Sequence, residues 1–198
     1  MIRKGLIASI SLMLLITALA ALGWFMVPEG EAIPVHWNTA GEVNRTGGPV
    51  EAFLAIPGLA LGLILVFAIA PKIDPRGRNL ERSQALWLTA WLGGLAILAV
   101  AQAAITLAAI GVISAGTPTF GRIIGSAVAL YIAAIGNVLG KARPNWFGGI
   151  RTPWSLSSDR SWDVTHRWAG RLFMIAGAAW ATQPWLFART AREAESVS

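Results

Sequence analysis

The chain has 198 residues, of which 55% are hydrophobic and only 13% are charged. A water-soluble domain carries about 25% charged residues, so this composition excludes an ordinary soluble surface. There is no cysteine, which excludes disulfides, thiolate metal sites and cysteine nucleophiles.

Five long apolar segments follow one another along the chain, at 5–27, 52–70, 86–113, 118–139 and 168–188. About 20 apolar residues in a helix cross the core of a bilayer, so these segments predict an all-α, multi-pass transmembrane bundle of about five spans. The first segment also resembles a signal peptide, since Arg3 and Lys4 precede it and Ala18-Leu19-Ala20 looks like a cleavage motif. Its apolar run exceeds the roughly 7–15 residues of a signal peptide, which favours a retained helix.

Proline and glycine mark the expected ends of these spans. Pro71 and the Asp-Pro pair at 74–75 are expected to end the second span. The Gly-Thr-Pro sequence at 116–118 predicts the turn between the third and fourth spans. Pro184 is expected to kink the fifth span.

The basic residues predict the orientation of the bundle. The net charge is +6, but no nucleic-acid-binding motif is present, so we expect membrane lipids rather than direct nucleic-acid binding. Most of the 16 Lys and Arg residues fall on one side, which the positive-inside rule places in the cytoplasm together with the N-terminus. We therefore predict one membrane domain, 1–198, with an extracytoplasmic loop at 28–51 and a cytoplasmic loop and amphipathic helix at 140–167.

The outer loop has a defined local character. Pro34 fixes an extended backbone, and Asn38 and Gly41 are turn formers. His36 and Trp37 place a titratable ring beside an amphipathic one. Two interpretations stay open, a structured cap at the membrane interface or a recognition surface for an extracellular ligand.

The inner loop is richer in aromatic side chains than a simple linker. Trp146, Phe147 and Trp154 lie within a few residues of one another, and two prolines and two glycines restrict the path of the chain. This pattern suits either an interfacial anchor that stabilises the fold or a docking face for a cytoplasmic partner.

An amphipathic helix is predicted to follow this loop and to continue into the fifth span. Ser157 or Ser158 can cap it, with Asp159 in the first turn, where the helix dipole favours an anion. Trp162 and His166 are four residues apart and therefore share one face.

Taken together, the two loops resemble the SdpI family, bacterial immunity proteins against the sporulation-delaying-protein toxin. The outer sequence Ile33-Pro34-x-His36-x-Asn38-x-x-Gly41 is similar to the family's N-terminal domain of unknown function. The inner sequence follows the family signature at Gly136, Asn137, Lys141, Pro144, Asn145, Gly149, Ile150, Arg151, Thr152, Pro153, Trp154, Leu156, Trp162, Thr165, His166 and Arg167.

The resemblance implies a protein of the bacterial inner membrane that protects its producer from a secreted, membrane-active peptide toxin. It further implies signal transduction, in which the engaged protein captures a cytoplasmic repressor at the membrane. Asn44 stands where the outer motif often has Asp, and five expected spans replace the usual six. The odd number of spans would place the C-terminus outside and remove one possible inner surface, which weakens the transfer of repressor capture.

The residues expected to bind a ligand or partner come from both loops. They are Pro34, His36, Asn38, Gly41, Asn137, Asn145, Trp146, Gly149, Ile150, Arg151, Thr152, Pro153, Trp154, Trp162, His166 and Arg167.

No metal, cofactor or catalytic activity is expected. The two histidines, His36 and His166, are predicted to lie on opposite sides of the membrane and cannot share a metal. Ser158, Asp159 and Asp163 lie near His166, but such a grouping on a helix is more often a surface interaction than a catalytic one.

A small transporter or permease-like protein is the alternative function. It would need a polar path through the spans, and the candidates are few: Gln102, Thr106, Ser126, Asn137 and Gln183. Arg122 lies about one turn inside the fourth span. It is expected either to reach the outer interface by snorkelling or to be a lumenal partner for a ligand or for the glutamates of the outer loop.

Overall fold

The computed structural model describes residues 1–38, 41–114 and 118–195, and the side chains of 1–38, 41–114 and 121–183. Helices make up most of the described chain, which confirms the all-α, multi-pass prediction. In chain order the elements are α1 (Ile2–Met26), β1 (Ile33–Trp37), β2 (Val43–Gly47), α2 (Pro49–Ile73), α3 (Gly77–Arg82), α4 (Gln84–Ala109), α5 (Pro118–Leu139), α6 (Pro153–Leu156) and α7 (Asp159–Glu195).

Four of the described helices are long and apolar enough to cross a membrane, namely α1, α2, α4 and the 121–139 part of α5. The fifth expected span, 168–188, lies inside α7, which runs without interruption from the amphipathic stretch. Whether it crosses the membrane stays a prediction, as does the kink at Pro184, because side chains beyond Gln183 lie outside the described residues. The expected turn at 116–118 also lies largely outside them.

α2 passes Pro71 and ends at Ile73, directly before the Asp-Pro pair at 74–75 that was expected to end it. A proline in a helix lacks the N–H that would bond to the carbonyl four residues earlier, here Phe67. The indole N–H of Trp87 donates to that carbonyl at 3.3 Å. A side chain of α4 thus replaces the missing backbone donor, and the helix passes the proline.

Two buried polar side chains join α4 to the helices beside it. The Gln102 side-chain amide donates to the carbonyl of Ala52 in α2 and to the hydroxyl of Thr106, each at 3.2 Å. The Thr106 hydroxyl donates to the carbonyl of Leu19 in α1 at 3.1 Å. Hydrogen bonds of this kind stabilise helix association within a bilayer, where apolar burial against lipid contributes little.

Glycines bring α5 and α7 into backbone contact. A Cβ atom on Gly136 would lie 2.6 Å from the amide nitrogen of Met174, and one on Gly177 would lie 2.5 Å from the carbonyl oxygen of Ala129. Small residues at such crossings let two membrane helices approach closely. Tyr131 of α5 links this pair to α4, since its hydroxyl donates to the carbonyl of Ala90 at 2.9 Å.

The outer loop folds into an antiparallel hairpin of β1 and β2, which the sequence analysis did not predict. β1 packs on α2 and α4, and Ile33 is only 1% exposed. The hairpin therefore forms an ordered cap over one end of the bundle.

Candidate functional site

The inner loop, defined here as residues 140–158, is attached to the connection between α2 and α4. One carboxylate oxygen of Asp74 accepts from the Arg76 amide at 2.7 Å, and the other accepts from the Trp146 amide at 3.1 Å. The Asn79 side chain donates to the carbonyl of Pro144 at 2.8 Å. The contacts of Trp146 with Asp74 and of Pro144 with Asn79 hold the first half of the inner loop against the end of α2 and against α3.

Asn145 organises the tightest part of the loop. It is 2% exposed, and its amide nitrogen donates to the carbonyls of Arg143 and Gly148 at 2.8 and 2.9 Å. Its side-chain oxygen accepts from the amides of Phe147 and Gly148. The Arg143 amide in turn donates to the Ser83 hydroxyl at 2.8 Å. Two donors and two acceptances exhaust the hydrogen-bonding capacity of an asparagine side chain, so this position has a structural reason to be asparagine.

His166 fixes the second half of the loop. The Ile150 amide donates to its Nε2 atom at 2.9 Å, so Nε2 carries no proton. Its Nδ1 atom lies 2.8 Å from the carbonyl of Trp162 and must be the donor there. The two rings stack with centroids 3.9 Å apart, and the Trp162 indole donates to the carbonyl of Ala142 at 2.9 Å. One neutral tautomer of His166 therefore connects α7 to the loop.

Burial lowers the pKa of His166 below its ordinary value of 6.5, against smaller raising effects of the Trp162 carbonyl and the Asp163 charge. The geometry agrees with this direction, because a proton on Nε2 would face the N–H of Ile150 and abolish that hydrogen bond. The neutral side chain is thus the form that holds the loop.

Gly149 lets the loop pass this pair of rings. Its φ of +111° is a conformation that residues with a side chain rarely adopt. A Cβ atom there would lie 2.5 Å from Nε2 of His166 and 3.1 Å from the Trp162 ring. Both the backbone conformation and the available space therefore require glycine.

A capping box begins α6. The Thr152 hydroxyl accepts from the Ser155 amide, and the Ser155 hydroxyl accepts from the Thr152 amide. The Ser155 hydroxyl also donates to the carbonyl of Ile150 at 2.7 Å, and Pro153 occupies the first helical turn. Ser158 caps α7 by accepting from the Ser161 amide at 3.1 Å, as one of the two expected caps.

The large aromatic and cationic side chains of the loop point outward. Trp146 is 61% exposed, and Trp154 is 79% exposed. Arg151 and Arg167 are exposed as well, and the Arg151 guanidinium donates to the carbonyl of Trp146. Buried polar residues fix the path of the inner loop, and it presents large aromatic rings and cations on its surface.

The outer motif residues build the hairpin and its turn. The Asn38 amide and the Glu42 carbonyl pair at 2.9 Å, and the Asn38 carbonyl accepts from the Gly41 amide, where φ is +84°. Across the strands, Nδ1 of His36 lies 2.6 Å from Oδ1 of Asn44 and donates to it. Asn44 stands where the outer family motif often has Asp, and it accepts the hydrogen bond that an aspartate would accept there.

The two groups of expected residues lie at opposite ends of α2. The hairpin precedes Pro49 and the inner loop contacts Asp74, which separates them by about 37 Å of helix. Pro34 is half-buried in β1. The structure does not bring the outer and inner sets into one site.

Most expected inner residues meet in the loop, with two exceptions. Asn137 is exposed on α5, away from the loop's hydrogen bonds. The Arg167 side chain bonds within α7, to the carbonyl of Asp163, and to no loop residue among those the structure describes. Asp74, Asn79 and Ser83, which anchor the loop, were not among the site residues expected from the sequence. They lie in or beside the connection between α2 and α4, where the sequence indicated only the end of the second span and a group of basic residues.

Four apolar helices, polar cross-links between them and two ordered loops at opposite ends define a multi-pass helical membrane protein. Residues 141–187 match the SdpI/YfhL protein family, and residues 12–61 match the domain of unknown function DUF1648. These ranges contain the inner loop from residue 141 onward and the whole outer hairpin, so the resemblance expected from the sequence is confirmed.

A curated relative extends the similarity along the chain. The chain is 25% identical over 147 residues to the Immunity protein SdpI of Bacillus subtilis (strain 168). The alignment covers 74% of this chain and 66% of the relative, slightly less than two thirds of its length. No solved structure gives a significant match.

Proposed function

We propose that this chain is an immunity protein of the bacterial inner membrane that confers resistance to a secreted, membrane-active peptide toxin. The observation that carries the proposal is the inner loop, where the family match coincides with a rigid segment that exposes Trp146, Arg151 and Trp154. The similar Bacillus subtilis protein is named as an immunity protein.

The inner loop has the chemistry of a docking face. Tryptophan and arginine dominate the binding energy of protein interfaces, and Trp154 and Arg151 are both exposed here. Asn145 and His166 hold the loop in one conformation, so binding requires little additional ordering of the backbone. We infer that a cytoplasmic repressor would be captured at this face.

The outer hairpin is the corresponding face for the peptide. Its turn at Asn38 and Gly41 is fixed by backbone hydrogen bonds, and His36 is exposed beside Asn44. An extracellular peptide would meet this surface first, before it partitions into the bilayer.

Three of the five polar residues expected for a transport path form hydrogen bonds between helices instead. Gln102 and Thr106 bond to backbone carbonyls of α2 and α1, and the Ser126 hydroxyl donates to the carbonyl of Ala181 at 3.2 Å. These groups join helices together, and nothing in the described residues favours a substrate path.

The proposal is tested by survival of a sensitive bacterium challenged with the sporulation-delaying peptide and related membrane-active peptides. We expect more colonies with the chain than with an empty vector, and loss of this protection with Arg151→Ala or Trp154→Ala. Arg160→Ala and Trp180→Ala are matched controls, since both residues are exposed on α7 outside the inner loop. Immunoblots of the membrane fraction check that all four variants insert. Full protection by both loop variants would refute a role for the inner face.

Repressor capture has its own test. A candidate repressor should move to the membrane fraction only when the peptide and the wild-type chain are both present, and Arg151→Ala should prevent this. A repressor that stays soluble in every arm would contradict capture and leave the immunity role intact.

A further inference from the structure

A cavity of about 340 Å³ lies between the helices, directly under the inner loop. α2, α4, α5 and α7 all contribute to its wall, through residues such as Val66, Ala90, Ile135 and Phe173. The segment 147–150 of the inner loop closes one side. The lining is mainly apolar, the cavity is partly open, and its volume lies at the lower end of the range for ligand sites.

The cavity is confined to the depth of one leaflet. Val66 lies about 10 Å along α2 from its end at Ile73, and Ala90 lies about 9 Å along α4 from its start at Gln84. Half of a bilayer's hydrocarbon core is about 15 Å thick. The cavity therefore lies at the level of acyl chains in the leaflet on the inner-loop side.

Three cationic residues come shortly after lining residues of the cavity in the sequence, and we place them at the level of the lipid headgroups. Lys72 follows the lining residue Ala70, Lys141 follows Leu139, and Arg151 directly follows Ile150. All three are exposed. Asp74 also follows Ala70 in the chain, and its carboxylate accepts from the backbone amides of Arg76 and Trp146. With this one acid and three cations, the four side chains carry a net positive charge.

We propose that this cavity is a specific site for an anionic phospholipid, with one acyl chain between the helices and the phosphate at Arg151. A guanidinium has five N–H donors suited to phosphate, and the Arg151 side chain has one hydrogen bond, to the Trp146 carbonyl, among the described residues. The bound lipid would brace the segment 147–150 from below and so stabilise the docking face. The site shares Arg151 with the proposed docking face, but lipid binding requires neither toxin nor repressor, so it can be measured separately from the proposed immunity role.

The test is thermal unfolding of the purified full chain in detergent, with phosphatidylglycerol, phosphatidylcholine or diacylglycerol added. Phosphatidylglycerol should raise the melting temperature saturably, and the other two lipids should have little effect. Ala90→Phe fills the cavity and should abolish the shift, whereas Ala55→Phe, at an exposed position on α2 outside the cavity, should retain it. Arg151→Gln should weaken binding about tenfold, the usual loss for a hydrogen bond to a charged group.

Several outcomes would overturn the site. Equal stabilisation by phosphatidylcholine would show detergent-like solvation, and an undiminished shift in Ala90→Phe would place the lipid elsewhere. If the three lipids shift the melting temperature equally, and a toxin peptide raises it only when the cavity is not filled by Ala90→Phe, the cavity would be a site for the peptide instead. If Ala90→Phe does not fold, Val66→Trp at the exposed edge of the same cavity decides the question.

Discussion

Replacing Gly149 by alanine should open the inner loop without unfolding the helical bundle. The new Cβ atom would lie 2.5 Å from Nε2 of His166. That ring cannot move aside cheaply, since it is bonded both to the Ile150 amide and to the Trp162 carbonyl. The substitution must therefore distort the loop backbone or break a hydrogen bond in a buried region.

The magnitude follows from two contributions. A non-glycine residue at a φ of +111° costs about 1–3 kcal/mol, and a lost hydrogen bond costs about 1 kcal/mol. A local loss of about 2–4 kcal/mol raises the opening equilibrium of the loop at least roughly 30-fold. Hydrogen exchange at the Ile150 amide, which His166 protects, measures this directly.

The adjacent glycine supplies the control. A Cβ atom on Gly148 would meet the Asn145 side chain at 3.5 Å, an ordinary contact. Gly148→Ala should therefore leave exchange at the Ile150 amide nearly unchanged. Equal acceleration by both substitutions, or by neither, would refute the reasoning that one close approach fixes the loop.

Three further predictions test the other structural conclusions by thermal unfolding in detergent. Gly136→Leu should cost about 2 kcal/mol or more by forcing α5 from α7, whereas Gly125→Leu on the same helix meets open space and should cost little. Burial lowers the pKa of His166 in the folded protein below its unfolded value of about 6.5. The unfolded state therefore binds more protons just below that pH. The free energy of unfolding should have its full value above about pH 6.5 and fall on acidification. His166→Gln should flatten this slope, and an unchanged slope would mean that another group titrates. Gln102→Leu should lower the free energy of unfolding by about 1 kcal/mol or less, since hydrogen bonds between membrane helices average about 0.6 kcal/mol. In addition, the Gln102 side-chain oxygen has no partner among the described residues. A larger loss would show that this hydrogen bond contributes more than the usual amount to helix association.

The helices could be predicted from the sequence because lipid imposes a simple requirement on composition and length. The apolar segments at 5–27 and 52–70 correspond closely to α1 and α2. The continuation of α2 past Pro71 could not be predicted, because it depends on Trp87, a donor from another helix.

The candidate site was predictable only in part. Gly149 and His166 were expected site residues because of the family resemblance. Neither spacing nor composition indicated that the Ile150 amide donates to the His166 ring on α7. Asp74 and Asn79 were missed because their roles depend on contacts more than 60 residues away along the chain. The hairpin was missed because a five-residue strand of mixed polarity carries little periodic signal.

The most direct test of the central claim is a colony count after challenge with the sporulation-delaying peptide. It compares sensitive cells that express the wild-type chain, the Arg151→Ala/Trp154→Ala double variant or an empty vector. The account predicts survival with the wild-type chain alone, with equal amounts of both proteins in the membrane. Survival no better than with the empty vector, for every peptide tested, would contradict an immunity role for this chain.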